Sequence, residues 1–147
     1  MPRPEYRLID LTVFVMANLA NLLLATIFLA RVKQFSRLEY FLGICFIALV
    51  IPAAVAMFHN LTAKREWYTV VFPLLFILFG LLELWFDYIL QLDFRNTTRL
   101  LVPYIVLFYL SSLGLIGYGF SIGKPHGFIT LATYFLTLFA TWFSHTR

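Results

Sequence analysis

Glu83 and Asp87 stand one helical repeat apart inside an otherwise apolar stretch, with Gly80 before them and Gln91 after them on the same i, i+3/i+4 rhythm. An acid at the centre of a hydrocarbon-length run costs about 2.5–3.5 kcal/mol on insertion scales, so such groups face a cavity or a partner and not lipid. Two neighbouring carboxylates can share one proton or hold a cation between them. The chemistry this implies is proton titration or cation binding. Glu83 is the deeper group, and Asp87 lies nearer the end that carries Arg95 and Arg99. Tyr88, Tyr104 and Tyr109 also fall inside apolar runs, where each hydroxyl needs a partner, and they are expected to line the same cavity. The candidate ligand- or proton-binding set is Glu83, Asp87, Asn18, Asn21, Tyr88 and Thr137. The competing reading is structural, with Glu83 protonated and hydrogen-bonded to Asn18, Asn21 or Thr137, and Asp87 anchored at the interface. Asp10 is expected near water at the start of its helix.

Other residues have chemical potential and the wrong context. Gly119, Ser121 and Gly123 spell the nucleophile-elbow pattern with His126 close by, but that motif needs a strand turning sharply into a helix, and Ser121 ends an apolar helix. His59 and His126 fall at one membrane face with Glu66, whereas His145 lies at the other. Histidines at helix ends meet headgroups or water more often than metals. None lies mid-span for axial haem ligation. Lys33, Lys64 and Lys124 all sit between spans, which disfavours a mid-membrane Schiff base. The single Cys45 excludes an internal disulfide and a cysteine metal cluster. Asn60 with Thr62, and Asn96 with Thr98, match the glycosylation pattern but lie in loops on opposite faces. They read as loop and capping residues, with Asn96 a cap for the fourth helix. No catalytic residue, metal or cofactor is expected, and an intramembrane lipid-acting enzyme is the least favoured class.

The elements that must position these residues follow from composition. Of 147 residues 62% are hydrophobic and 12% charged, about half the roughly 25% charge of a soluble domain. A span of about 20 apolar residues matches the bilayer core. Runs over Leu8–Ala30, Leu38–Phe58, Trp67–Leu92, Leu100–Ile122 and Phe128–Phe143 qualify. The first is too long for a signal peptide and is followed by Arg31, Lys33 and Arg37, so it is expected to remain as a helix. Connections such as Thr62–Glu66 and Gly123–Gly127 are short, which makes successive helices antiparallel neighbours. The expected fold is all-α: one domain over 1–147, an integral membrane bundle of five antiparallel transmembrane helices with short loops.

Polar and small residues mark contact faces in membranes, where apolar burial gains little. The expected interior faces are Asp10, Asn18, Asn21 and Ala25 in the first helix; Cys45, Ala48, Pro52, Ala56 and His59 in the second; Gly114, Gly117 and Ser121 in the fourth; and Thr130, Thr133, Thr137, Thr141 and Ser144 in the fifth. A shift placing Lys33 on Arg95 and Arg37 on Arg99 also places Asn21 on Glu83, a faint echo of the internal repeats that transporter folds carry, which topology alone would also produce.

The net charge of +4 comes from 11 basic and 7 acidic residues, with most of the basic ones in short segments between apolar runs. That pattern anchors lipid headgroups and does not read nucleic acid. The expected partners are membrane lipids, with a second copy or another membrane protein as further candidates. An odd number of spans puts the termini on opposite sides. Arg31, Lys33 and Arg37 favour an outside N-terminus and a cytoplasmic C-terminus. The functional expectation is a small transport or ligand-binding protein using intramembrane carboxylates, the alternative a non-catalytic subunit or scaffold of a membrane complex. A cavity beside Glu83 favours the first and tight packing there the second.

Overall fold

Backbone N–H and C=O groups find no water in hydrocarbon, so an apolar run satisfies them internally as helix. The computed structural model describes residues 6–90 and 98–145, which contain helices and no strand. α1 spans Arg7–Val32, α2 Ser36–Ala48, α3 Val50–Thr62, α4 Trp67–Glu83, α5 Thr98–Ile122 and α6 Lys124–His145, with a π-helical segment over Leu84–Ile89 directly after α4. α2 and α3 together form one span, so five segments are long and apolar enough to cross a membrane. The chain is an all-α, multi-pass membrane bundle. The side chains of Asp87 and His145, and all of Gln91, Arg95 and Asn96, lie outside the described residues.

Successive spans pack side by side and α6 returns along α1, closing the bundle. The core joins Val13, Met16, Ala20 and Leu24 of α1 to Phe46, Ala53, Ala56, Phe76, Phe79, Leu115 and Tyr118. Trp67, Trp85, Trp142 and most of the phenylalanines outside the core point outward, where a bilayer would meet them.

Prolines shape two of the spans. Pro52 has no N–H to return to the Ala48 carbonyl, and the helix breaks at Leu49, whose own N–H turns back to Phe46 at 3.1 Å. Pro73 lies inside α4 and leaves the Thr69 carbonyl without its helical donor. The interior face of this span is one residue out of phase with the expected one and runs unbroken through Leu49. Cys45, Ala48 and His59 are exposed, and the buried positions are Phe46, Ala53, Ala56 and Asn60.

The hairpin loops at two span ends share one geometry. After α1, Gln34 adopts φ 60 while Phe35 N–H reaches the Ala30 carbonyl at 2.9 Å and Gln34 N–H reaches Arg31 at 3.1 Å. After α3, Lys64 adopts φ 54 while Arg65 N–H reaches Asn60 at 3.1 Å and Lys64 N–H reaches Leu61 at 3.2 Å. Both are Schellman turns carrying a side chain at the left-handed position that glycine usually fills. The α5–α6 connection is shorter than expected. Only Gly123 is non-helical, and Lys124, Pro125 and His126 already belong to α6, where a first-turn proline is pre-set for helix. A Cβ at Gly119 would stand 3.2 Å from the His126 carbonyl, so the two helices approach there because that position has no side chain.

Candidate functional site

Among the described residues polar side chains gather in three places, and the five members of the expected set of six whose side chains are described are divided between two of them. The first place is the seam of α1 and α6. Asn18 Nδ2 donates to Thr130 Oγ1 at 3.3 Å, and Thr133 Oγ1 donates to Asn18 Oδ1 at 2.8 Å. One turn further, Asn21 Nδ2 donates to Thr133 Oγ1 at 2.9 Å, and Thr137 Oγ1 donates to the Asn21 carbonyl at 2.7 Å. The threonine stripe of α6 is thus interior as expected, and its work is to zip α6 to α1. Such interhelical bonds contribute about 0.6 kcal/mol each on average. None of Asn18, Asn21 and Thr137 bonds Glu83, so the structural partners expected for that acid are not its partners.

The second place holds Glu83. It closes α4, and the π-helical segment begins at the next residue, with Leu90 N–H reaching the Trp85 carbonyl at 2.9 Å. The wider ring re-aims the side chains it carries, so the regular α spacing expected after Glu83 does not hold through Leu84–Ile89. Such segments recur at functional sites. The Tyr104 hydroxyl of α5 donates to Glu83 Oε1. Tyr88, in the π-helical segment, donates to the Tyr40 carbonyl of α2 at 3.1 Å. Beside these groups is a cavity of about 40 Å³ lined by Leu24, Ile27, Phe28, Arg31, Glu39, Gly43, Phe46, Glu83, Tyr88 and Tyr104. Arg31 and Glu39 pair across its outer side, with Nη2 and Nε at 2.8 and 2.9 Å from one carboxylate oxygen. Tyr109 is 42% exposed and takes no part.

The third place lies at the other end of the bundle, where sequence reasoning expected only interfacial residues. Asp10 is 2% exposed, and Asn60 and Tyr118 are 0% exposed. Asp10 is therefore not near water. Arg65 Nη1 donates to Asp10 Oδ1 at 2.8 Å and to Asn60 Oδ1 at 2.9 Å. Tyr118 donates to the same Asp10 oxygen at 2.9 Å and accepts from Asn60 Nδ2 at 3.0 Å. Asn60 Nδ2 also reaches the Thr69 carbonyl at 3.0 Å, the one that Pro73 leaves without a helical donor. Tyr6 covers the guanidinium at 4.2 Å. Burial works against the Arg65 charge, and the hydrogen bond and negative charge of Asp10 more than offset it, so the guanidinium is held above its ordinary pKa. Asn60 is thus a core hub and not a loop residue. Two signals pointed to it: its spacing from Ala53 and Ala56, and the carbonyl released by Pro73.

Ser121 sits on α5 and its hydroxyl donates back to the Tyr118 carbonyl at 2.6 Å, an ordinary helical bond in place of a strained elbow. Among the described residues no three His, Cys, Asp or Glu side chains gather as a metal-ligand set. No family model, no curated protein and no solved structure matches the chain.

Proposed function

We propose that this chain binds a proton or a small cation at the Glu83 cavity and acts as a small transport or ligand-binding protein of the membrane. The observation that carries the proposal is the cavity itself, which lies against an intramembrane carboxylate. Its volume of about 40 Å³ exceeds the roughly 10–15 Å³ that one water requires. It is far below the roughly 300–1,000 Å³ typical of organic ligands, so the cargo is hydrated-proton or monovalent-ion in size. Tyr104 and Tyr88 supply hydroxyls that can relay a proton or share in coordinating an ion, and Glu83 supplies the titratable or charged group. Tyr88 and Glu83 belong to this site. We include Asp87 on sequence grounds, and assign Asn18, Asn21 and Thr137 to helix packing.

The test is flux through reconstituted liposomes. Glu83→Gln keeps the shape and hydrogen-bonding capacity of the side chain and should leave the protein folded while abolishing proton- or sodium-driven flux. Unaltered flux of both ions in the Glu83→Gln protein would remove this site from the function.

The second reading is a non-catalytic subunit or scaffold, and the α1–α6 seam together with the Asp10 cluster favours it, because those polar groups are spent on holding helices. Co-purification of a stoichiometric membrane protein, with no ion flux from the isolated chain, would select it. For orientation we propose an outside N-terminus and a cytoplasmic C-terminus, on the strength of Arg31, Lys33 and Arg37 after the first span.

A further inference from the structure

We propose that α2 is a gate over the Glu83 cavity, hinged at Leu49–Pro52 and latched by the Arg31–Glu39 pair and the Tyr88–Tyr40 bond. The inference rests on the proposed ion or proton site and adds how that site is reached.

The second span is divided into unequal halves. α3 is anchored, with Ala53, Ala56 and Asn60 buried in the core. α2 buries only Phe46, whose ring meets Phe76 and Phe79 at 5.4 and 5.8 Å. Between the halves stands a joint whose helical bond to the Ala48 carbonyl cannot form, because residue 52 is proline. A segment with few buried apolar contacts, attached through an incomplete turn, opens at lower free energy than the body it rests on.

α2 is also one wall of the cavity. Glu39, Gly43 and Phe46 are its lining residues, at successive turns of one face. The side-chain ties that hold this wall shut are polar and sit toward its N-terminal end, which the turn over residues 33–35 joins to α1. The Arg31–Glu39 pair is 33% and 30% exposed, so solvent competes for it. Tyr88 donates to the Tyr40 carbonyl, and Gly43 admits the Tyr88 hydroxyl so closely that a Cβ there would collide with it. The opposing jaw is the π-helical segment that carries Tyr88. Moving α2 outward about Leu49, with the turn over residues 33–35 opening at its other end, parts these ties together and exposes the Glu83 cavity on this side, while α3 and the Asp10 cluster stay in place.

The experiment uses the full chain in liposomes on a Cys45→Ser background, with one cysteine at Ile27 in the cavity wall and, separately, one at Ala53 in the anchored half. A small charged methanethiosulfonate reagent reports the modification rate. Glu39→Gln combined with Tyr88→Phe should raise the rate at Ile27→Cys by about tenfold. Pro52→Ala, which restores the N–H to Ala48, should lower it by about threefold or more. Ala53→Cys should be unmoved in both. Equal rates across the Ile27 series, or an Ala53 rate that rises as far as the Ile27 rate, would overturn the gate in favour of a fixed cover or general loosening. The labelling needs no cargo, so its failure leaves the Glu83 site standing. Unaltered flux in Glu83→Gln with gating intact would instead count against the site.

Discussion

At the scale of single residues the Asp10–Arg65 pair is the group most sensitive to change. Two opposite charges share one buried position; Asp10 also accepts from Tyr118 and Arg65 Nη1 also donates to Asn60, while the buried Arg65 Nε–H has no hydrogen-bond partner among the described residues. Removing one charge strands the other, which costs about 3–5 kcal/mol in buried pairs, whereas replacing both together is far milder. Asp10→Asn is expected to lower the detergent melting temperature sharply, and Asp10→Asn with Arg65→Gln to recover most of the loss. Tyr118→Phe, which takes one donor from Asp10 and one acceptor from Asn60, should cost about 1 kcal/mol. A melting curve for Asp10→Asn that superimposes on the unmodified protein would show that the pair contributes nothing. Much of the chemistry at this scale was legible as residue type but not as partnership. Glu83 announced itself because an acid in an apolar run has few explanations. Asp10 did not, because a carboxylate in a first helical turn is what helix dipoles favour anyway. Its partner arrives from a loop more than fifty residues away, a distance no periodicity spans.

At the scale of elements, the spans were legible because hydrocarbon thickness dictates their length, and the α6 stripe was legible because threonines repeat at helical spacing with no other cause. The buried face of the second span was not. Phe46, Ala53, Ala56 and Asn60 keep helical spacing through Leu49, so the buried face lies about one residue round from the small-residue face, and Ala48 is exposed while Ala56 is buried. The π-helical segment was equally hidden, since nothing in Leu84–Ile89 departs from α-helical composition. The turn after α3 does carry a usable signature. Lys64 at φ 54 holds the conformation that costs a side chain roughly 1–2 kcal/mol relative to glycine, and this same turn delivers Arg65 to Asp10. Lys64→Gly is therefore expected to stabilise the protein by about 1 kcal/mol, partly offset by the extra freedom glycine has in the unfolded chain. Thermal unfolding in detergent measures it. A fall in stability would mean that the exposed Lys64 ammonium matters more than its backbone.

At the scale of the whole molecule, two charged groups mark opposite ends of one bundle. The Asp10–Arg65 cluster ties α1 to the α3–α4 loop and α5, and the Arg31–Glu39 pair ties α1 to α2 near the cavity. Between them, among the described residues, the interior is mainly apolar, with the Asn–Thr seam of α1 and α6 and the buried Ser111 and Ser112 of α5 as polar insertions. That arrangement requires the α3–α4 and α5–α6 connections to share one membrane face, with the α1–α2 connection and the start of α5 on the other. Lys64, Lys124, Lys33 and Arg99 are all exposed at these ends, so a cysteine in place of each would meet solvent without disturbing a buried partner. With Cys45→Ser removing the native thiol, an impermeant maleimide applied to intact cells should label Lys64→Cys and Lys124→Cys as one class and Lys33→Cys and Arg99→Cys as the other. One class should react before lysis and the other only after it. An outside N-terminus makes the Lys64 class the reactive one, and the reverse order would invert the proposed orientation while leaving the bundle intact. Lys64→Cys and Arg99→Cys reacting from the same side would break the bundle itself, because no arrangement of five antiparallel spans brings those two positions to one face.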